Sequence, residues 1–153
     1  MIRGTVLSIW IAPTADSPIV HVESAWAVPG RGLQGDRYFH GTGTWTGWPD
    51  SELTLIEWEA IQDIEREHDI CLEPGDLRRN VVTRGVSLLD LVGRRFRLGA
   101  LLVYGVRPCD PCRHIESVTQ PGVLKALSGR GGLRARILEE GLLEVGSSVE
   151  VGE

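Results

Sequence analysis

The chain has 153 residues, a formal net charge of −5 and a pI near 5.4. A domain of that length buries roughly 70% of the surface its unfolded chain exposes, so neither a metal nor a disulfide is required to hold it together. The acidic balance speaks against a broad phosphate-tracking surface, and no apolar run approaches the roughly 20 residues of a membrane span, so neither nucleic acid nor membrane is expected as a partner.

In chain order, Gly4 to Ala12 and Ile19 to Val28 are rich in Val, Ile and Trp. The second alternates His21, Glu23 and Ala25 with Val22, Ser24 and Trp26, as a half-buried strand does. Both are predicted strands, joined through residues 13–18. The Gly-rich stretch Pro29 to Pro49 is too long for a simple connection, and its Tyr38, Phe39, Trp45 and Trp48 favour a functional loop. Leu53 to Ile56 reads as a short strand. Glu57 to His68 places Trp58, Ile61 and Ile64 at helical spacing between acidic residues, which predicts an amphipathic helix. Leu77 to Thr83 is strand-like, Leu88 to Val92 a short turn or helix, and Arg94 to Leu98 and Ala100 to Val106 two strands around Gly99. Gln120 to Leu127 is a second short helix opened by Pro121. Arg134 to Glu139 and Leu142 to Val151 finish the chain as short strands with Gly turns. Many short strands with two peripheral helices predict a single mainly β domain over residues 1–153, a β-barrel rather than a run of βαβ repeats.

Three cysteines form no disulfide framework, and the opening MIRGTVLSIW carries neither an apolar core nor a small-residue cleavage site. A reduced, cytoplasmic protein is expected. Of 16 basic residues only Lys125 is a lysine. A coding preference accounts for that deficit, whereas the clustering of arginines calls for a ligand with phosphate or carboxylate oxygens.

Two clusters carry the candidate chemistry. Cys109 and Cys112 lie in Arg107-Pro-Cys-Asp-Pro-Cys-Arg-His114, where prolines stiffen the turn and Arg107, Arg113 and His114 supply positive charge that favours a thiolate. A pair of inert, packed cysteines is the alternative. A thioredoxin-like disulfide lacks its βαβ context, a c-type haem site is displaced by one residue because Arg113 intervenes before His114, and a zinc site stays open but wants a fourth ligand. In Leu77-Arg78-Arg79-Asn80, strand geometry would turn Arg78 and Asn80 to one face and Arg79 to the other, so that a guanidinium fork and an amide converge on a phosphate or heterocycle edge. Gly35-Asp36-Arg37-Tyr38 and Gly129-Arg-Gly-Gly-Leu133 are Gly-rich turns that permit close backbone approach.

Taken together, Gly32-Leu-Gln-Gly-Asp-Arg-Tyr38, Asp76-Leu-Arg-Arg-Asn-Val-Val82, Val92-Gly-Arg-Arg-Phe-Arg-Leu-Gly99 and Arg107-Pro-Cys-Asp-Pro-Cys-Arg-His114 strongly resemble the MOSC family, the molybdenum cofactor sulfurase C-terminal domain, in its stand-alone bacterial form. The resemblance implies a β-rich barrel and binding of molybdenum cofactor, a molybdenum atom held by the dithiolene of a phosphorylated pterin. It implies that Cys112 ligates molybdenum or carries sulfur as a persulfide. It also implies that Arg78 and Asn80 meet the pterin and its phosphate, with Asp36, Arg37, Arg107, Arg113 and His114 around them. Two activities follow from the family. One is reduction of N-hydroxylated compounds with electrons from an external redox partner. The other is transfer of the cofactor or its sulfur between a donor protein and an acceptor. A small-molecule substrate is expected in the first case.

Overall fold

The computed structural model describes residues 2–41, 52–111 and 113–151; the side chains of Ile2 and His114 lie outside that description. Trp45, Trp48 and Cys112, all singled out in the sequence, are outside the described residues.

Seven strands close into a barrel. β1 (Ile2–Ile11) is flanked on one side by β6 (Val81–Arg84) and on the other by β11 (Ser148–Val151). The circuit runs β1, β6, β5 (Leu53–Glu57), β9 (Leu133–Glu139), β8 (Leu101–Pro108), β7 (Arg95–Leu98) and β11, and returns to β1. All pairs are antiparallel except β5 with β6. That parallel pair needs a crossover, supplied by α1 (Trp58–His68), so the chain contains one strand-helix-strand unit within an otherwise antiparallel barrel. Alternation along the strands fills the interior: Leu53 and Leu55 from β5, Leu133, Ala135 and Ile137 from β9, and Val103 and Leu101 from β8 meet in one core.

The expected strand over Ile19 to Val28 is divided. β2 (Val20–Val22) pairs with the end of β1, whereas β3 (Ser24–Val28) leaves for a second sheet between β4 (Gly32–Leu33) and β10 (Gly141–Glu144). The break falls at Glu23, whose carbonyl accepts from the amide of Val145 in the turn after β10. The second sheet contributes Ala25, Ala27, Leu33 and Leu143 to the barrel core.

A second apolar cluster lies outside the barrel. Ile56 and Val82 face outward from β5 and β6 and are covered by Ile61 and Ile64 of α1, by Ile70 and Leu77, and by residues of α2 (Arg113–Val118) and α3 (Val123–Ala126). The helix over Glu57 to His68 therefore packs where its periodicity places it. The predicted helix Gln120 to Leu127 is shorter, because Gly122 takes φ +95°, which is left-handed and delays the first turn to Val123. α2 had no counterpart in the sequence reading. Leu88–Leu91 forms a single 3-10 turn.

Candidate functional site

Arg78 is the first correction to the sequence reading. The strand begins at Val81, not Leu77, and two successive turns precede it, with Asp76 N donating to Glu73 O and Arg78 N to Gly75 O. Arg78 itself adopts φ +59°. Strand alternation does not apply there, and the three side chains go to three places. The Arg78 fork donates from Nη1 to Ser17 O at 2.9 Å and from Nη2 to Ala15 O at 2.9 Å, latching the turn after β1. Burial, then the nearby Arg37, lower its pKa from the usual guanidinium value.

Asn80 is fully buried and engaged on both sides. Its Oδ1 accepts from Thr54 N and Thr54 Oγ1, its Nδ2 donates to Trp10 O, and its backbone bonds Thr54 and Trp10. It stitches β1, β5 and the start of β6 together.

Arg79, expected on the strand face opposite Arg78 and Asn80, is buried, at 7% exposed. Nε donates to Gly131 O at 3.0 Å and Nη1 to Leu77 O at 3.4 Å. Gly131 in turn lies flush against the turn that leads to Cys112: a Cβ there would stand 2.3 Å from Cys109 O and 2.9 Å from Pro111 Cδ. Cys109 is a buried free thiol whose amide donates to Gly132 O. After Cys112 the chain enters α2, where Ile115 is buried in the outer cluster. Cys109 before Cys112 and Ile115 after it are therefore both packed in place.

Asp36 and Arg37 join the same end of the barrel. Asp36 Oδ1 accepts from Ala12 N and from Arg37 Nη1, both at 3.0 Å, and Arg37 Nη2 donates to Arg78 O at 3.1 Å. Arg107 lies opposite Arg134 across β8 and β9, and Arg134 lies opposite Thr54 across β9 and β5. Asn80, Thr54, Arg134 and Arg107 thus form a polar row on the outer face of the barrel. Arg134 is a residue the sequence reading did not place in the site. Its strand position opposite in phase to Leu133, Ala135 and Ile137 marks it as outward-facing, but its burial depends on tertiary packing. Arg113 is set apart from this row; with Glu116, Gln120 and Leu124 it lines an open cleft beside α2.

The cofactor implied by the motifs needs a soft thiolate for molybdenum and donors for a phosphate. Arg79 Nη2 and Glu59 Oε1 are, among the described residues, the buried side-chain polar atoms without a hydrogen-bond partner. The first belongs to a cation bonded to the Gly131 carbonyl beside the cysteine turn, with Arg37, Arg107 and Arg134 in the same region. These residues fit such a group. Cys112 would hold the metal, and the arginines the anionic end. Among the described residues no group of three or more His, Cys, Asp or Glu is gathered to hold a metal ion. No helix of the described residues is long and apolar enough to cross a membrane.

Comparison with solved structures places the fold among known ones. The YuaD protein from Bacillus subtilis superposes with a TM-score of 0.82 at 17% identity, over 96% of this chain and 94% of that one. YiiM from Geobacillus stearothermophilus gives 0.73 at 20% identity, over 98% and 75%. YiiM from Escherichia coli gives 0.73 at 18% identity, over 100% and 71%. Comparison with curated protein sequences gives no significant match. The model of the MOSC domain matches residues 40–150, which include the Arg78 to Asn80 turns, the cysteine segment and both helices beside it. With a barrel of this form and a match over most of its length, the chain belongs to the MOSC domain family, a family that binds molybdenum cofactor.

Proposed function

We propose that this protein holds molybdenum cofactor through Cys112 and reduces N-hydroxylated compounds with electrons from a separate redox protein. The observation that carries the reading is the junction at Gly131, where a buried guanidinium and the turn leading to Cys112 meet on one backbone segment. When bound, the cofactor supplies a two-electron redox centre.

The chain's own residues do the rest. Residues 107–111 hold the cysteine segment in place through the Cys109 amide and the Pro111 contact with Gly131. Neighbouring cations favour the thiolate form that a soft metal requires. Asp36 fixes Arg37, and Arg78 closes the 14–17 turn over the same end of the barrel. The cleft lined by Arg113, Glu116 and Gln120 offers a polar approach for a small substrate next to the thiol-bearing segment. Overall, cleavage of an N–O bond takes up two electrons and two protons and releases water, the electrons coming from the external donor. The reaction is assigned to a reducing cytoplasm, where Cys109 and Cys112 remain thiols.

The test is direct. Cofactor-loaded protein supplied with a chemical reductant should convert an amidoxime to the amidine, and Cys112→Ser should abolish turnover with an unchanged melting temperature. A silent assay, together with uptake of labelled sulfane sulfur at Cys112 and its transfer to an acceptor enzyme, would replace this reading by that of a cofactor or sulfur carrier.

A further inference from the structure

We propose that Arg79 is an oxyanion-binding residue whose free Nη2 takes an oxygen of a phosphate-class ligand, a role that the motif resemblance gives to Arg78 and Asn80. The proposal takes the ligand's place in this site from the functional reading above, but its test does not depend on turnover.

Arg78 and Asn80 are already engaged, the first by the Ser17 and Ala15 carbonyls and the second by Thr54 and Trp10. Arg79 is different. Its guanidinium is buried, no carboxylate pairs with it among the described residues, and one of its nitrogens has no acceptor. Burial of a cation without a counter-charge is strongly unfavourable, and a donor left unpaired adds to that. Two carbonyls fix the plane of the fork from two sides, so Nη2 is held in a set direction before any ligand arrives.

The surroundings select the ligand's charge. Arg134 follows Gly131 by three residues, and the β8–β9 register sets it opposite Arg107. Two guanidinium groups therefore stand on adjacent strands near the segment that Arg79 bonds, which favours an anionic over a cationic ligand there. Gly131 leaves no side chain between Arg79 and the Cys109–Pro111 backbone. A tetrahedral oxyanion with several acceptor oxygens can satisfy a fixed fork and a neighbouring guanidinium together, which a single carbonyl cannot. The phosphate of the pterin cofactor and a free inorganic oxyanion share that chemistry.

Binding of inorganic phosphate to the cofactor-free protein, read by calorimetry and by thermal melting against potassium chloride of equal ionic strength, is the measurement. Wild-type protein should be stabilised by phosphate beyond the chloride control. Arg79→Gln should weaken phosphate binding at least tenfold, and Arg97→Gln, at an exposed position, should leave it within twofold. Should Arg79→Gln fail to fold, Arg79→Lys, which keeps the charge and loses the fork, should show about a tenfold loss. Unchanged phosphate affinity in the folded Arg79 variant, or no phosphate effect on the wild type, would overturn the proposal. Pterin content of protein made in cofactor-producing cells separates the sources. Loss of pterin together with phosphate affinity identifies the cofactor's phosphate, and retained pterin identifies a free oxyanion; both support the site. A protein that binds phosphate through Arg79 yet reduces nothing keeps this proposal and removes the reductase.

Discussion

Asn80 has the side chain of a ligand-binding residue and the environment of a structural one. An amide carries donors and an acceptor together, so it can recognise a heterocycle edge or replace missing backbone pairings equally well. Here it does the latter, accepting from Thr54 and donating to Trp10 O where β6 has not yet begun. Asn80→Ala leaves the buried Thr54 amide and the Trp10 carbonyl unpaired, each costing roughly 1–3 kcal/mol. Denaturant unfolding should show a loss on the order of 2–5 kcal/mol. A loss well under that range would mean that these groups find other partners. The adjacent Arg79 is the reverse case: the side chain expected to point away from the ligand face is buried beside the turn at Cys109 to Pro111.

At the scale of elements, Glu52 ties three of them. Its Oε1 accepts from Gly30 N in the turn between β3 and β4 and from Ile137 N in β9, just ahead of its own strand β5. Burial raises its carboxyl above the ordinary value of 4.5, outweighing the lowering by those two amides and by Arg136. The folded state therefore holds this proton more tightly than the unfolded chain. The contribution is fully present below pH 4.5 and is lost as pH rises through the folded value. Glu52→Gln keeps the carbonyl acceptor and removes the titration. Urea unfolding of both proteins between pH 4.5 and 7 should show the wild type losing ground to the variant as pH rises. Parallel pH profiles would show that Glu52 does not titrate differently on folding.

For the whole molecule, the barrel interior and the outer cluster are separate bodies of packing that share β5 and β6. Ile56 and Val82 face one, and Leu55 and Val81 the other. The outer cluster includes Ile115 of α2, three residues beyond Cys112 in sequence, so loosening the cluster loosens α2 as well. Ile64→Ala, at a fully buried position of α1, should cost about 2–5 kcal/mol in denaturant unfolding. Cofactor retention should fall with it. A cost below about 1 kcal/mol would show that α1 docks too loosely to support the site.

The sequence by itself determined the class of fold and most of its elements. The short apolar run Leu53 to Ile56, the strand-like Arg134 to Glu139 and the helical spacing at Trp58, Ile61 and Ile64 are local signals, and each appears where its pattern predicts. The motifs likewise carry the signature of the family. Tertiary structure decided what the local patterns leave open. The change of sheet at Glu23 depends on a partner in the Val145 turn, more than a hundred residues away in sequence. Where each of three consecutive side chains goes depends on Arg78 taking a left-handed turn in place of strand geometry, so strand alternation does not govern Arg78 and Arg79. The burial of Arg134 depends on the layer that covers the outer face of the barrel. Periodicity reports which side of a strand a residue occupies; only packing determines whether that side is solvent, core or a charged pocket waiting for an anion.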